Sequence, residues 1–256
     1  MSPLPRPMEW LGRLRQQPEP PRAPSRRHPA PTWREDDLRA TWQLVSLLLS
    51  YPDDRLLGLL DDIDEALAGL PPEASGPLGR VVAHLRSVPL AALRSDYVDT
   101  FDTTRKCALH LTYYAHGDTR KRGIALVQFK QAYRRAGLEI GDDELPDHLS
   151  VLLEFGATGD VGIAWKLLND HRAGVELLQL GLETRRSAWA DAVTALRATL
   201  PPLDGTQAEA VARLVAEGPP NEDVGLDAYS LDPRLNPHPD DDLSLSDHFD
   251  VQGATR

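Results

Sequence analysis

The chain has 256 residues and a formal charge of −11, with 39 acidic side chains against 28 lysines and arginines; that average field repels a polyanion and argues against a nucleic-acid coat. Its 41% apolar content includes no run near the ~18 uninterrupted apolar residues of a membrane-spanning helix, so a soluble protein is expected. The single cysteine, Cys107, excludes an internal disulfide, an iron–sulfur cluster and a multi-thiolate zinc site, and a reducing cytosol fits it best.

Composition divides the chain in three. Residues 1–34 hold nine of the 22 prolines and seven arginines against two glutamates. Such a segment buries too little to offset its ordering entropy, so it is expected to be a disordered extension. The apolar residues around Met8, Trp10 and Leu11 do not extend into the greasy stretch of a secretory signal. Residues 217–256 carry ten acidic residues and two arginines, with Pro219, Pro220, Pro233, Pro237 and Pro239 interrupting any helix; a second disordered tail is expected there. The two tails have opposite charge; either they are solvated extensions without a role, or they attract each other or compete for a charged surface groove, within the ~8 Å reach that physiological salt leaves.

Residues 35–216 read as helix almost throughout. Leu38, Trp42, Val45 and Leu49 form a one-sided stripe that ends at Tyr51-Pro52. Asp53 caps a second helix containing Leu56, Leu57, Leu60, Ile63 and Leu67, which Gly69 and Pro71-Pro72 terminate. A third runs from about 73 to 87. Leu93, Tyr97 and Phe101 then predict a short helix up to Asp102, and two longer ones follow around 103–116 and 119–136. The latter puts Ala125, Phe129, Ala132, Tyr133 and Ala136 on one face, and Gly137 closes it. Glu144-Leu145-Pro146-Asp147 starts the next, with Leu145, Leu149, Leu152 and Leu153 as its stripe. Helices around 160–171 and 174–186 come next, then one carrying Trp189, Val193, Leu196 and Leu200, and a last one over about 207–216. Nothing alternates as a strand does, and the expectation is an all-α bundle in one domain.

Enzyme signatures are missing. No glycine-rich phosphate loop, His-Glu-x-x-His or Gly-x-Ser-x-Gly occurs. His110 and His116, six apart, do not share a helix face as metal ligands must, and Asp147, His148 and Ser150 on one helical turn cannot relay a proton. Cys107 follows Arg105-Lys106, which leaves a lowered thiol pKa open beside the commoner role of a small buried hydrophobe. No cofactor or metal is expected.

Three polar segments stand out. In Tyr97-Val98-Asp99-Thr100-Phe101-Asp102 the aromatics lie one turn apart and the aspartates share a flank. In His116-Gly117-Asp118-Thr119-Arg120-Lys121-Arg122-Gly123 dense positive charge opposes the dipole at a helix start. Either an internal carboxylate, from Asp102, Glu144 or Asp147, pairs with Arg120 or Arg122, or those arginines hold an anionic ligand or a peptide carboxylate. In Leu145 to Phe155, Asp147 sits at the helix start and Glu154, seven residues on, returns to the same face.

These segments, with Leu47-Leu48-Leu49-Ser50-Tyr51-Pro52-Asp53, occur in an order and spacing that resemble the nitrate reductase molybdenum cofactor assembly chaperones, the NarJ family; the resemblance covers roughly 36–185. It implies a cytoplasmic, non-catalytic helical protein related to the TorD-type chaperones. Such a protein binds the apo catalytic alpha subunit of respiratory nitrate reductase, including its N-terminal segment. It keeps that subunit open for the bis-molybdopterin guanine dinucleotide cofactor, supports iron–sulfur assembly and delays membrane docking.

On that reading an amphipathic client helix lies in a groove. Asp99, Asp102, Asp147 and Glu154 supply an acidic rim, and Tyr97, Phe101 and Leu149 the floor; His116, Arg120, Arg122, His148 and Phe155 complete the candidate client-binding set. Charge reversal at Asp147 and Glu154 is then expected to weaken client binding more than stability. The alternatives are a general helical adaptor and a metal-dependent helical enzyme using His116, His148 and Glu154.

Overall fold

A computed structural model describes residues 29–141 and 144–217. Of the expected tails, 1–34 and 217–256, residues 1–28 and 218–256 lie outside the described residues. Among these residues the regular structure is helical, apart from one isolated antiparallel bridge between His110 and His148.

Helix α1, Glu35–Leu48, begins with Glu35, Asp36 and Asp37, which complement its dipole. It buries Leu38, Trp42, Val45 and Leu48. Asp53 caps α2, Asp54–Gly58, by accepting from the Leu56 N–H at 2.8 Å. The expected single second helix is divided at Leu59, and α3, Leu60–Leu67, follows. Next come α4, Pro72–Ser87, with proline in its first turn, and α5, Leu90–Tyr97. The latter runs into a π-helical turn, Val98–Asp102.

The helix expected over 103–116 is replaced by a 3-10 turn at Arg105–Cys107 and the short α6, Leu111–His116. The backbone there is committed elsewhere. Leu111 N–H bonds the Asp147 carbonyl, Leu149 N–H bonds the Leu109 carbonyl, and the Tyr114 hydroxyl donates to the carbonyls of Lys106 and Ala108. Helix α7, Arg120–Arg135, ends where Gly137 adopts φ 81°, as the sequence requires. Then follow α8, Leu149–Thr158, α9, Val161–Asp170, α10, Arg172–Thr184, α11, Ala190–Thr199, and α12, Gly205–Glu217.

Helix α1 packs along α8 and also against α11 and α4. The Trp42 ring stacks on Trp165, and its indole N–H donates to the buried Thr199 hydroxyl at 3.0 Å. Close approach of α8 to α1 requires Gly156, where a Cβ would fall 2.6 Å from the Trp42 ring. Arg39 donates to the Ala157 and Gly159 carbonyls, placing a cation at the C-terminal end of α8. Before α1, Trp33 packs on the core and the Pro29 carbonyl accepts the Trp165 indole N–H at 3.0 Å.

Candidate functional site

The sequence-predicted residues fall into an aromatic edge, a buried carboxylate clasp and the interior of α8.

The edge forms at the junction of α5 with the π-helical turn. A π turn places its side chains differently from an α turn, and such turns recur at functional sites. Tyr97 and Phe101 are buried with ring centres 4.7 Å apart, and Trp189 stands edge-on to each at 5.5 Å. The Tyr97 hydroxyl donates to the Leu49 carbonyl at 2.9 Å. Burial, then the nearby Asp102 charge, raises its pKa, so it stays a donor. Tyr51 packs edge-on against Tyr97 at 5.4 Å and is itself 37% exposed, as is Val98. Asp99 and Asp102 are exposed on the same turn. Thr100 Oγ1 and Trp189 Nε1 are buried without a hydrogen-bond partner among the described residues, an unusual condition for polar atoms. Sequence reasoning missed Tyr51, Val98 and Trp189 as members of this edge; Tyr51 sits directly before Pro52, a helix end where side chains are commonly left half-exposed.

The clasp is centred on Asp147, which is fully buried. It does not begin the helix carrying Glu154: α8 starts at Leu149, and Asp147 belongs to the turn before it. Its Oδ2 instead accepts from the Thr112 N–H at 3.2 Å and from the Thr112 hydroxyl, in the first turn of α6. A negative charge there satisfies a backbone donor and complements the dipole of a helix 35 residues away in sequence. His110 Nδ1 stands 3.4 Å from Oδ1, and Arg122 reaches within 3.9 Å of Oδ2. Burial alone would raise the Asp147 pKa, but His110, the Thr112 hydrogen bonds and Arg122 together hold it below the ordinary carboxylate value. Tyr133 of α7 donates to the Pro146 carbonyl at 2.7 Å. The clasp thus ties α6, α7 and the start of α8 together. His148 stacks edge-on to His110 at 5.1 Å, and burial pushes it down to about 4.

Of the two arginines, Arg122 is the inward one. It pairs with Asp118 at 3.1 Å, approaches Asp147, and lies 6.0 Å from the centre of the Tyr113 ring. Internal carboxylates therefore compensate part of the positive charge at this helix start, while Arg120 is exposed. His116 ends α6 half-buried, its pKa lowered by burial and then by Lys121.

Leu149, Glu154 and Phe155 lie inside the bundle. Helix α8 is enclosed by α1 and α9, and its sequence, LSVLLEFGAT, is apolar on most sides, so Glu154 is carried inward with it. The four-carboxylate rim is corrected accordingly: Asp147 and Glu154 are interior, and Asp99 and Asp102 remain at the surface. The expectation that charge reversal at the inner pair would spare stability is reversed with it. Cys107 is buried against Gly181, and burial raises its thiol pKa, so the small-hydrophobe reading holds. Among the described residues no group of three or more His, Cys, Asp or Glu is placed to hold a metal ion, and no helix is long and apolar enough to cross a membrane.

The chain is similar to the nitrate reductase-like protein NarX of Mycobacterium tuberculosis, 37% identical over 155 residues; that match spans 60% of this chain and 23% of the relative. It is 30% identical over 168 residues to the probable nitrate reductase molybdenum cofactor assembly chaperone NarJ of Bacillus subtilis, covering 64% of this chain and 90% of that protein. With the nitrate reductase molybdenum cofactor assembly chaperone NarJ of Escherichia coli K12 it shares 34% identity over 150 residues, 57% of this chain and 64% of that protein. A family model described as "Nitrate reductase delta subunit" matches residues 63–195, a span that holds the clasp, α8 and the edge apart from Tyr51. More than half of the sequence falls within that match, and the chain belongs to the nitrate reductase delta subunit family.

Proposed function

We propose that this chain is a non-catalytic, cytoplasmic assembly chaperone that binds the apo alpha subunit of respiratory nitrate reductase, including its N-terminal segment. It holds that subunit competent for molybdenum cofactor insertion and defers its docking to the membrane. Support comes from the names of the relatives in Bacillus subtilis and Escherichia coli, both molybdenum cofactor assembly chaperones.

The observation that carries the reading is the aromatic edge. Tyr51 and Val98 expose apolar surface beside Asp99 and Asp102, and two buried donors beneath lack partners among the described residues. An amphipathic client helix laid there sets apolar side chains on Tyr51 and Val98 and basic ones on the aspartates. Release needs no chemistry: cofactor loading that stabilises a client fold hiding the recognised segment lowers chaperone affinity by linkage.

The test is calorimetric titration of the full chain with a synthetic peptide copying the N-terminal segment of the partner nitrate reductase alpha subunit. Replacing Asp99 and Asp102 by lysine is expected to weaken binding at least about tenfold, a change of ~1.4 kcal/mol, with an unchanged melting point. Equal affinity in this variant overturns the assignment of the edge, and absence of binding by the unmodified chain overturns recognition of that segment.

A further inference from the structure

The outer face of α7 combines exposed apolar side chains with a concentration of positive charge. This helix carries six basic side chains and no acidic one in a chain of formal charge −11. Ala125, Phe129 and Tyr133 face inward. On the opposite side Arg120, Ile124, Val127, Gln131 and Arg134 recur at helical spacing, and every one is exposed; Ile124 is 64% and Val127 52% accessible. Lys121 and Arg135 flank this row and are exposed as well. The exposed carboxylates nearest in sequence, Asp118 and Glu139, lie beyond the two ends of the helix, and Asp118 is paired with Arg122. The face therefore reads basic, apolar, basic along its length.

Exposed apolar side chains framed by cations fit an anionic partner that also accepts apolar groups. A peptide helix is held in a groove between elements. A lipid surface is met by one face of a single helix, with apolar side chains entering the headgroup boundary and basic ones drawn to anionic lipid. The row on α7 has the second arrangement, since it lies along one helix with Ile124 and Val127 in its middle and cations toward both ends. We propose that the outer face of α7 attaches the protein to an anionic phospholipid surface. Ile124 and Val127 enter the headgroup layer, and Arg120, Lys121, Arg134 and Arg135 meet the lipid phosphates.

The face is held ready. The Tyr133 hydroxyl donates to the Pro146 carbonyl and Arg122 approaches Asp147, so the inward side of α7 is fixed while the outward side is presented, and little ordering remains to oppose attachment. Contact is with the surface alone, since no helix among the described residues is long and apolar enough to cross a membrane. The acidic excess of the whole chain does not cancel the attraction at physiological salt. Charges more than ~8 Å from the lipid are largely screened, while each basic side chain close to it strengthens attachment about fivefold. Two apolar side chains and four cations make a reversible contact and not an anchor. This attachment is independent of the client reading, and a chain that holds lipid but binds no alpha-subunit peptide still upholds it.

Co-sedimentation of the full chain with lipid vesicles tests it. With phosphatidylcholine vesicles containing about one third phosphatidylglycerol, partition is expected to be at least about tenfold higher than with phosphatidylcholine alone, and salt at about 1 M, where screening shortens to ~3 Å, removes the difference. Arg134→Gln with Arg135→Gln is expected to lower partition at least about tenfold, and Ile124→Gln with Val127→Gln at least about threefold. Melting points stay unchanged, because all four side chains are exposed. Arg105→Gln with Lys106→Gln removes the same charge from the exposed 3-10 turn and is expected to leave partition as it was. Equal attachment to neutral vesicles, or equal weakening by the Arg105 and Lys106 substitutions, overturns the proposal. So does self-association without lipid that the Ile124 and Val127 substitutions disperse, since the occupant is then a second copy. Binding of a synthetic peptide alternating glutamate with leucine by a chain that vesicles fail to hold overturns it too, and gives the face to an acidic protein segment.

Discussion

Replacing Asp147 by alanine is expected to destabilise the fold strongly. The carboxylate is fully buried and accepts from both the backbone N–H and the hydroxyl of Thr112. Hydrogen bonds to a charged group contribute about 1.5–3 kcal/mol each, and removing the acceptor leaves both Thr112 donors without water to replace it. Arg122 loses a partner 3.9 Å away but keeps Asp118 at 3.1 Å and some solvent, so its share is at most about 1 kcal/mol. The sum agrees with the roughly 3–5 kcal/mol typical of breaking a buried charge network. For a domain of this size each kcal/mol moves the melting point by about 2–4 °C, so a loss of roughly 10 °C is expected. Asp147→Asn keeps an acceptor for Thr112 and should lose about half as much.

Urea unfolding monitored by tryptophan fluorescence reads the difference, provided the slope against denaturant is unchanged. The carboxyl pKa is depressed in the folded state, so its contribution is fully present above the ordinary unfolded value near 3.9 and disappears as pH falls through the lower folded value. The variant's deficit should therefore be constant around neutral pH and shrink only below about pH 4. A deficit under about 1 kcal/mol at pH 7 refutes the clasp as a fold-holding unit.

Other consequences concern pH and packing. His148 and His171 are both pushed down to about 4 by burial, so between pH 6.5 and 4 the unfolded chain takes up protons that the folded chain refuses. Stability should fall across that window by up to about 3 kcal/mol per histidine, and His148→Gln or His171→Gln should flatten the dependence measured by urea titration at each pH; a wild-type profile already flat there contradicts it. Gly181→Ala should cost about 1–3 kcal/mol or more, because the added methyl meets the Lys106 backbone carbonyl, and Cys107 Sγ lies 3.2 Å from it. Denaturation no different from wild type in that variant means that the loop at 105–107 yields more readily than its packing implies.

Where the sequence spoke through local periodicity, the structure follows it. The α1 stripe, the Asp53 cap and the left-handed Gly137 depend on neighbours within a turn or two, which a single sequence displays. The failures are long-range. Residues 103–116 have helix-compatible composition, yet their backbone pairs with 147–149, and no local pattern announces that commitment. The sequence offers Asp147 as one partner for Arg120 or Arg122, and Arg122 does approach it, but nothing local points to Thr112 and His110 in place of a shared helix face with Glu154. One signal did exist for Glu154: an acidic residue within LSVLLEF is surrounded by apolar neighbours in both directions, as in a helix buried on all sides. Arg172 and Glu176 pair locally at i, i+4, whereas Arg197, 2.8 Å from the other Glu176 oxygen, comes from a different helix.

The division between inner and outer carboxylates also limits how the edge can work. Tyr51 and Val98 are each only 37% exposed, so covering what they still show contributes about 1–2 kcal/mol together. A micromolar complex needs about 8 kcal/mol net, after the ordering of the bound segment has been offset. Charge pairs to exposed Asp99 and Asp102 add at most about 1 kcal/mol each. The shortfall is closed only if a client reaches the buried rings of Tyr97, Phe101 and Trp189, which requires the π-helical turn to move. The hydrogen bonding of that turn already departs from the α pattern, and Thr100 and Trp189 keep buried donors unspent among the described residues. The Asp147 clasp meanwhile fixes α6, α7 and α8. One part of the bundle is thus held by a buried charge, while another retains buried polar groups without hydrogen-bond partners among the described residues.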